Sequence, residues 1–406
     1  MTIKALYPTV RPTLNLDFAK TKALDPRVTF TRASTATFVG ADGLIKTAAS
    51  GAARFDHNPA TGESLGLLVE EARTNTIVSS SVFNTGAWTQ DGAVLTANAG
   101  VAPDGTTTAT SISQGTGSNR CYLFDNSGVT GSKVFSFFVK ANAGTSFQIS
   151  ATGGLTPNAT ATVNLSSVTV SGFTSATIQA FANGWYRVLL PVTVSTASGG
   201  STYWQIFGPV SSVFIWGFQL EAGSFPTSYI PTTTATVTRA ADVASMTGTN
   251  FSSWWNGSKQ GTLFFNHDLT PETQSATNSN SMIVAFADGL YAYGNVIGYW
   301  GSGTARFLTT NFYTATPAEA YNSGNFPSYG VTLSNPGYDK YALAYTPGSG
   351  LSKAAINGVL LPAISTPSAY IPTAFYFGGT HTQRIARLAY YPVRLPDAQL
   401  QAITAT

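Results

Sequence analysis

Short runs of alternating apolar and polar residues, separated by Gly, Pro, Asn and Asp, fill this chain from end to end. In VTFTRASTATFVGADGLIKTA, Val28, Phe30 and Arg32 alternate with Thr29 and Thr31. Thr37, Phe38 and Val39 then enter Gly40-Ala41-Asp42-Gly43 and leave through Leu44-Ile45, which predicts a β-hairpin with a short Gly-containing turn. Past the turn signals Asn58-Pro59 and Thr61-Gly62, LGLLVE reads as a further strand. Ahead of the hairpin, residues 1 to about 15 carry Pro8 and Pro12, which exclude helix, and read as a loosely held arm.

Residues 76–222 repeat this style as VFSFFVKA, FQISA, ATVNL, WYRVLLPVTV, YWQIF and VFIWGFQL. Phe135, Phe137 and Val139 fall on one face, as do Tyr186, Val188, Leu190 and Val192, the spacing of an antiparallel sandwich or jelly roll. A second β-rich segment holds LFFNHDL, SMIVAFA, VIGYW, KYALAY, AAINGVLL, FYFGG and RIARLAYYP. Asn357-Gly358 is the strongest hairpin signal in the chain. LPDAQLQAIT alone reads as helix, with Pro396 at its start and Leu400 and Ile403 turned inward.

The join is the stretch 213–246, VFIWGFQLEAGSFPTSYIPTTTATVTRAADVASM. Its first part predicts a strand buried on both faces, with Phe214, Trp216 and Phe218 on one side and Ile215, Gly217 and Gln219 on the other. Pro226, Pro231 and a Thr run then force extended backbone across a surface before TRAADV enters the second segment.

Composition sharpens this picture. The 406 residues suit two or three domains. Charged residues make up 10% of the chain, against a usual share of about 25%, so Ser, Thr, Asn and Gly must build the polar surface. A net charge of +3 over this length makes no phosphate-binding patch, so no nucleic acid partner is expected. Cys121 is alone, forms no intrachain disulfide and is expected to be buried and inert. No signal peptide and no membrane-length apolar run is visible, so a soluble chain folded in a host cytoplasm is expected.

Three blocks resemble a group of bacteriophage fibre and spike proteins: FTRASTATFVGADGLIKTA, ARFDHNPATGESLGLLVEEARTN and FIWGFQLEAGSFPTSYIPTTTATVTRAADV. Such proteins serve as tail fibres, receptor-binding proteins or head fibres. The central segment is similar to their carbohydrate-binding-module type jelly roll. The C-terminal segment, with KAAINGVLL and IARLAYYPVRLPDAQLQAI, is similar to a concanavalin A-like (laminin G-like) sandwich. The expected fold is therefore all-β. An N-terminal arm and hairpin attachment region spans 1–75, a jelly roll spans 76–235 and a concanavalin A-like sandwich spans 236–406. The resemblance implies a virion surface protein, a tail or head fibre, commonly homotrimeric, that meets other virion proteins through its N-terminal region and host glycan through its sandwiches. A structural decoration protein without a ligand is the alternative, and a polysaccharide depolymerase a further one.

Depolymerase chemistry needs a carboxylate pair across a cleft. The Glu-x-Asp-x-Glu run of concanavalin-like glycosidases is absent. Glu70 and Glu71 face opposite sides of a strand, with Arg54 and Arg73 nearby for charge pairing, so the chain reads as a non-enzyme. His57, His267 and His381 lack metal spacing, and no nucleophile elbow or phosphate loop is present, so no cofactor is expected. Asp91, Asp104, Asp125 and Asn126 supply loop oxygens of the kind a structural calcium ion takes, though Asp-Gly turns of this kind are more often plain turns. Sugar binding remains. It needs rings that stack on a pyranose beside amides or charged groups that bond its hydroxyls. The candidates are Trp88, the Tyr203-Trp204-Gln205 run, Trp254-Trp255, and Tyr299-Trp300, each of which also has a plain packing reading. Tyr203 and Trp204 point to opposite sides of their strand, which leaves one of the two for the surface.

Overall fold

The computed structural model describes residues 7–405 apart from 84–87, 125–129, 154, 157–158, 174, 196–202, 257–259, 269–280, 288–293, 303–304, 312–338, 347–351, 364–371 and 378–381, and within 281–311 it describes the backbone alone. Strands dominate, in two antiparallel sandwiches. The described α-helices are the short pieces Phe18–Thr21, Thr249–Ser252 and Asp397–Thr404.

The central sandwich has two sheets. One runs Leu155–Thr156, Trp185–Val194, Gly131–Ala141, Val213–Ala222, Ala109–Ser113, Val94–Gly100, with Thr177–Ala180 also on Trp185–Val194. The other runs Thr169–Ser171, Ala159–Asn164, Ser146–Thr152, Tyr203–Phe207, Arg120–Phe124, Trp88–Asp91. Side chains alternate across each strand, so Phe135, Phe137 and Val139 point together between the sheets. There Phe135 stacks on Trp204 at 4.1 Å and Phe137 on Phe218 at 4.9 Å. Each such ring adds about 1.5–3 kcal/mol by burial.

The strand Val213–Ala222 departs from simple alternation. Val213 and Ile215 face the inter-sheet core, but beyond Gly217 the inward residues are Phe218 and Leu220, while Trp216 joins a cluster on the sheet's other side. The reason is a bulge. Gly217 has φ +64°, and the pairing with Gly131–Ala141 shifts register between Ser136 and Phe138, which reverses the phase of every later side chain. A Cβ at Gly217 would stand 2.9 Å from the Phe138 ring.

The C-terminal sandwich is built from both ends of the chain. One sheet runs Val359–Leu360, Lys353–Ile356, Asp339–Tyr345, Gly261–Asp268, Gln383–Tyr391, Ser64–Val69, Arg54–His57, and Leu14–Asp17 also pairs with Gln383–Tyr391. The facing sheet runs Thr29–Thr31, Val243–Thr247, Ala374–Phe377, Ser281–Ala287, Gly294–Ser302, Ala305–Asn311. Leu14, Leu16, Phe18, Leu67 and Val69 share a core with Leu263, Phe265, Phe375, Leu388 and Tyr390. The strands Leu14–Asp17, Thr29–Thr31, Arg54–His57 and Ser64–Val69 thus complete this sandwich, and the central sandwich is inserted into it. The chain leaves and returns through a two-stranded neck, Arg73–Asn75 paired with Val237–Arg239.

The hairpin pairs Ala36–Val39 with Ile45–Ala48. It packs on the chain's own central sandwich. Ile45 packs with Phe138, Trp185, Trp216 and Tyr229 on the outer side of the central sandwich, and its N–H donates to the Pro103 carbonyl at 2.9 Å. At the second predicted hairpin, Asn357 (φ +47°) and Gly358 (φ +82°) take the two positive φ values of a type I′ turn, and Ile356 faces Val359. The final helix follows Pro396 and buries Leu400.

Residues 223–234 cross between the sandwiches as extended chain. Buried side chains stand in for a partner strand: the Asn75 amide donates to the carbonyls of Phe218 and Ile230, and Gln219 and Glu221 accept from the N–H groups of Ile230 and Thr227. Beside the neck lies a buried ion cluster. Glu70 accepts from Arg54 at 2.6 Å and from the Ser228 N–H at 2.7 Å, and it pairs with Arg239 at 3.1 Å. Asp242 holds Arg32 at 2.9 Å, Arg54, and the Glu70 N–H at 2.8 Å. Burial alone would push the Glu70 carboxyl up, but the Arg239 and Arg54 charges and the Ser228 bonds bring it down to about 2. Glu71 pairs with Arg73 on the opposite side of the chain.

Candidate functional site

The outer face of the sheet that carries Tyr203–Phe207 and Arg120–Phe124 brings rings and polar groups together. In the strand RCYLF, Cys121 and Leu123 enter the core, so Arg120, Tyr122 and Phe124 point outward. Next to it Trp204 and Ile206 enter the core and Tyr203, Gln205 and Phe207 point outward. The register sets Phe124 opposite Tyr203, Tyr122 opposite Gln205 and Arg120 opposite Phe207. On the far side of Tyr203–Phe207, Ser150 faces Gln205 and Thr152 faces Tyr203; on the near edge Asp91 faces Arg120 and Thr89 faces Tyr122.

Three rings form the centre of this face. Tyr122 meets Phe124 at 5.5 Å and Tyr203 at 6.1 Å, and Phe124 meets Tyr203 at 5.9 Å, all edge to face. Phe124 stays 40% exposed, a large apolar ring left in water. Arg120 is pinned beside them. Its guanidinium lies over the Tyr122 ring at 5.1 Å, its Nε donates to Asp91 Oδ2 at 2.9 Å, and its Nη1 donates to Gln205 Oε1 at 2.9 Å. The hydrogen bond from Arg120 lowers the Asp91 carboxyl below its ordinary range, and the same bond raises Arg120. Hydroxyl and amide side chains continue across the sheet, with Gln148 opposite Thr162 and Thr162 opposite Ser171.

The sequence candidates divide. Tyr203 and Gln205 stand on this face. Trp204 is 1% exposed and stacked in the core, so of the adjacent pair the tyrosine holds the surface position. Trp88 is buried against Phe83 and Phe218, and Trp254 is buried against Phe251 and Phe375, which closes their ring faces to a sugar. Trp255 is half-buried between Phe251 and Tyr345, stacked on both. Tyr299 and Trp300 lie on the strand Gly294–Ser302, and their side chains fall outside the described residues. Of the oxygen ligands considered for calcium, Asp91 serves Arg120, Asp104 accepts from the N–H and hydroxyl of Thr106 in a turn, and Asp125 and Asn126 lie outside the described residues. Arg120, Tyr122 and Phe124 are not among the candidates that the Trp-containing runs and loops single out. Their alternation with Cys121 and Leu123 was the available signal.

No protein-family model and no curated protein matches the chain. Among solved structures it is similar to the CBM40 of a Ruminococcus gnavus IT-sialidase bound to α2,3-sialyllactose, at 15% identity and TM-score 0.26, over 36% of this chain and 83% of that one. It is similar to the leech intramolecular trans-sialidase at 15% identity and TM-score 0.26, over 36% of this chain and 23% of that one. It is also similar to botulinum neurotoxin type C, whose cell entry depends on two ganglioside molecules, at 12% identity and TM-score 0.27, over 40% of this chain and 39% of that one. The chain thus spans less than half the length of the last two. Likeness of this degree assigns neither an activity nor a ligand.

Proposed function

We propose that this chain is a bacteriophage virion fibre or spike subunit that presents the outer face of its central sandwich to glycans on the host surface. The observation that carries this reading is the cluster of Tyr122, Phe124 and Tyr203 beside Arg120 and Gln205. Rings left in water next to fixed amide and guanidinium groups match the apolar face and hydroxyl rim of a pyranose. The sequence blocks that resemble phage fibres support the virion setting, and the N-terminal region is then the part that meets other virion proteins. Assembly as a homotrimer rests on that resemblance. A binding rather than hydrolytic role is supported by Glu70 and Glu71, whose carboxylates are taken up by arginines.

The test is a glycan array with the purified full-length chain, followed by competition with phage adsorption to whole cells. Binding to a defined set of glycans that is weakened by Tyr203→Ala, together with blocked adsorption, is the expected result. Absence of binding to every glycan and to cells overturns the proposal and leaves a decoration protein.

A further inference from the structure

We infer that the site takes an uncharged hexose rather than an acidic sugar; this rests on the glycan-binding reading above. The reasoning concerns Arg120. An arginine captures a carboxylate with two parallel N–H groups, either Nε with one Nη or the two Nη together. Here Nε is committed to Asp91 and one Nη1 N–H to Gln205, so the Nε fork is closed and two of the five donors are spent. Asp91 also offsets the positive charge and would repel an incoming carboxylate held against the same guanidinium.

What remains at the surface is neutral and suited to hydroxyls. Gln205, 6% exposed, lies at the floor of this face and turns its Oε1 to Arg120, with its amide N–H groups as donors. The guanidinium, stacked on Tyr122 and bonded on two sides, acts as a rigid planar wall. Arg120 is thus a positioning residue that fixes the ring and the amide. A contact of this kind, built on stacking and uncharged hydrogen bonds, is little screened by salt.

The experiment uses the full-length chain on paired arrays of neutral oligosaccharides and their sialylated or uronate-bearing counterparts, at about 50 and about 500 mM NaCl, with affinities of the best binders measured in solution. Binding to neutral members that changes less than about threefold with salt, and falls roughly tenfold in Tyr203→Ala while Tyr203→Phe retains it, supports the inference. Asp91→Ala supplies a second readout, because it removes both the acceptor that holds Nε and the charge that offsets Arg120, and it is expected to admit acidic sugars that the parent chain refuses. Binding confined to acidic members, or lost by more than about tenfold at the higher salt, overturns the neutral-sugar inference while leaving glycan binding intact. No binding to either array overturns both.

Discussion

Asp242→Asn removes one charge from the buried junction without altering its shape. One Asp242 oxygen accepts from Arg32 at 2.9 Å; the other accepts from Arg54 and from the Glu70 N–H at 2.8 Å. All of these groups are buried. Asparagine keeps one acceptor oxygen and replaces the other with an NH₂, so whichever way the amide turns, a donor faces a donor. If the oxygen stays with Arg54, Arg32 retains the Ser34 and Ala49 carbonyls and no counter-charge. Removing one partner of a buried ion pair costs about 3–5 kcal/mol, because the other charge stays desolvated. The exposed pair Asp42–Lys46, with side chains 51% and 42% exposed, is the internal control, and Lys46→Met there is expected to cost less than about 1 kcal/mol. Urea unfolding followed by tryptophan fluorescence reads both variants as midpoint shifts at unchanged slope. An Asp242→Asn loss no larger than that of Lys46→Met would refute the assignment of the junction as a tightly coupled charge cluster.

Three further outcomes are expected. Gly358→Val places a β-branched residue at φ +82° and is expected to cost about 1–3 kcal/mol, with Gly358→Asn costing less; equal melting temperatures for the two variants would remove the backbone argument. Glu70 is held at about 2 against an ordinary 4.5, so its contribution of about 3 kcal/mol is fully present above pH 4.5 and is lost as pH falls toward 2. Glu70→Gln should therefore flatten the acid limb of a stability-versus-pH curve, and an equally steep limb would count against the ion cluster. The Cys121 thiol is buried and pushed up to about 12, so a thiol reagent is expected to label the native protein only at the rate of unfolding; rapid labelling under native conditions would contradict its burial.

Local features were legible in the sequence because they depend on neighbours along the chain. Asn357-Gly358 forms its turn since two adjacent residues need positive φ, and Phe135, Phe137 and Val139 share a face through the two-residue period of a strand. That Arg54 and Arg73 would neutralise Glu70 and Glu71 was legible too, while which arginine serves which carboxylate, and the addition of Arg239, came from the fold. Gly217 shows the limit of such reasoning. Its bulge reverses the phase of Val213–Ala222, and the sequence pattern of Phe214, Trp216 and Phe218 fits an unbroken alternation equally well.

Tertiary structure decided which strands meet. Leu14 lies opposite Tyr390, and Thr29–Thr31 lies beside Val243–Thr247, pairings that no local pattern encodes because any strand of matching polarity satisfies the same alternation. The candidate site followed the same division. Strand alternation sends neither Tyr203 nor Trp204 to the core by itself; it requires only that the two point apart. The inter-sheet packing of Trp204 on Phe135 turned Tyr203 outward, and pairing with Arg120–Phe124 then set Tyr122, Phe124 and Arg120 beside it. A strand's sequence sets its period, whereas the face that goes inward and the residues that gather on the other depend on the strands packed against it.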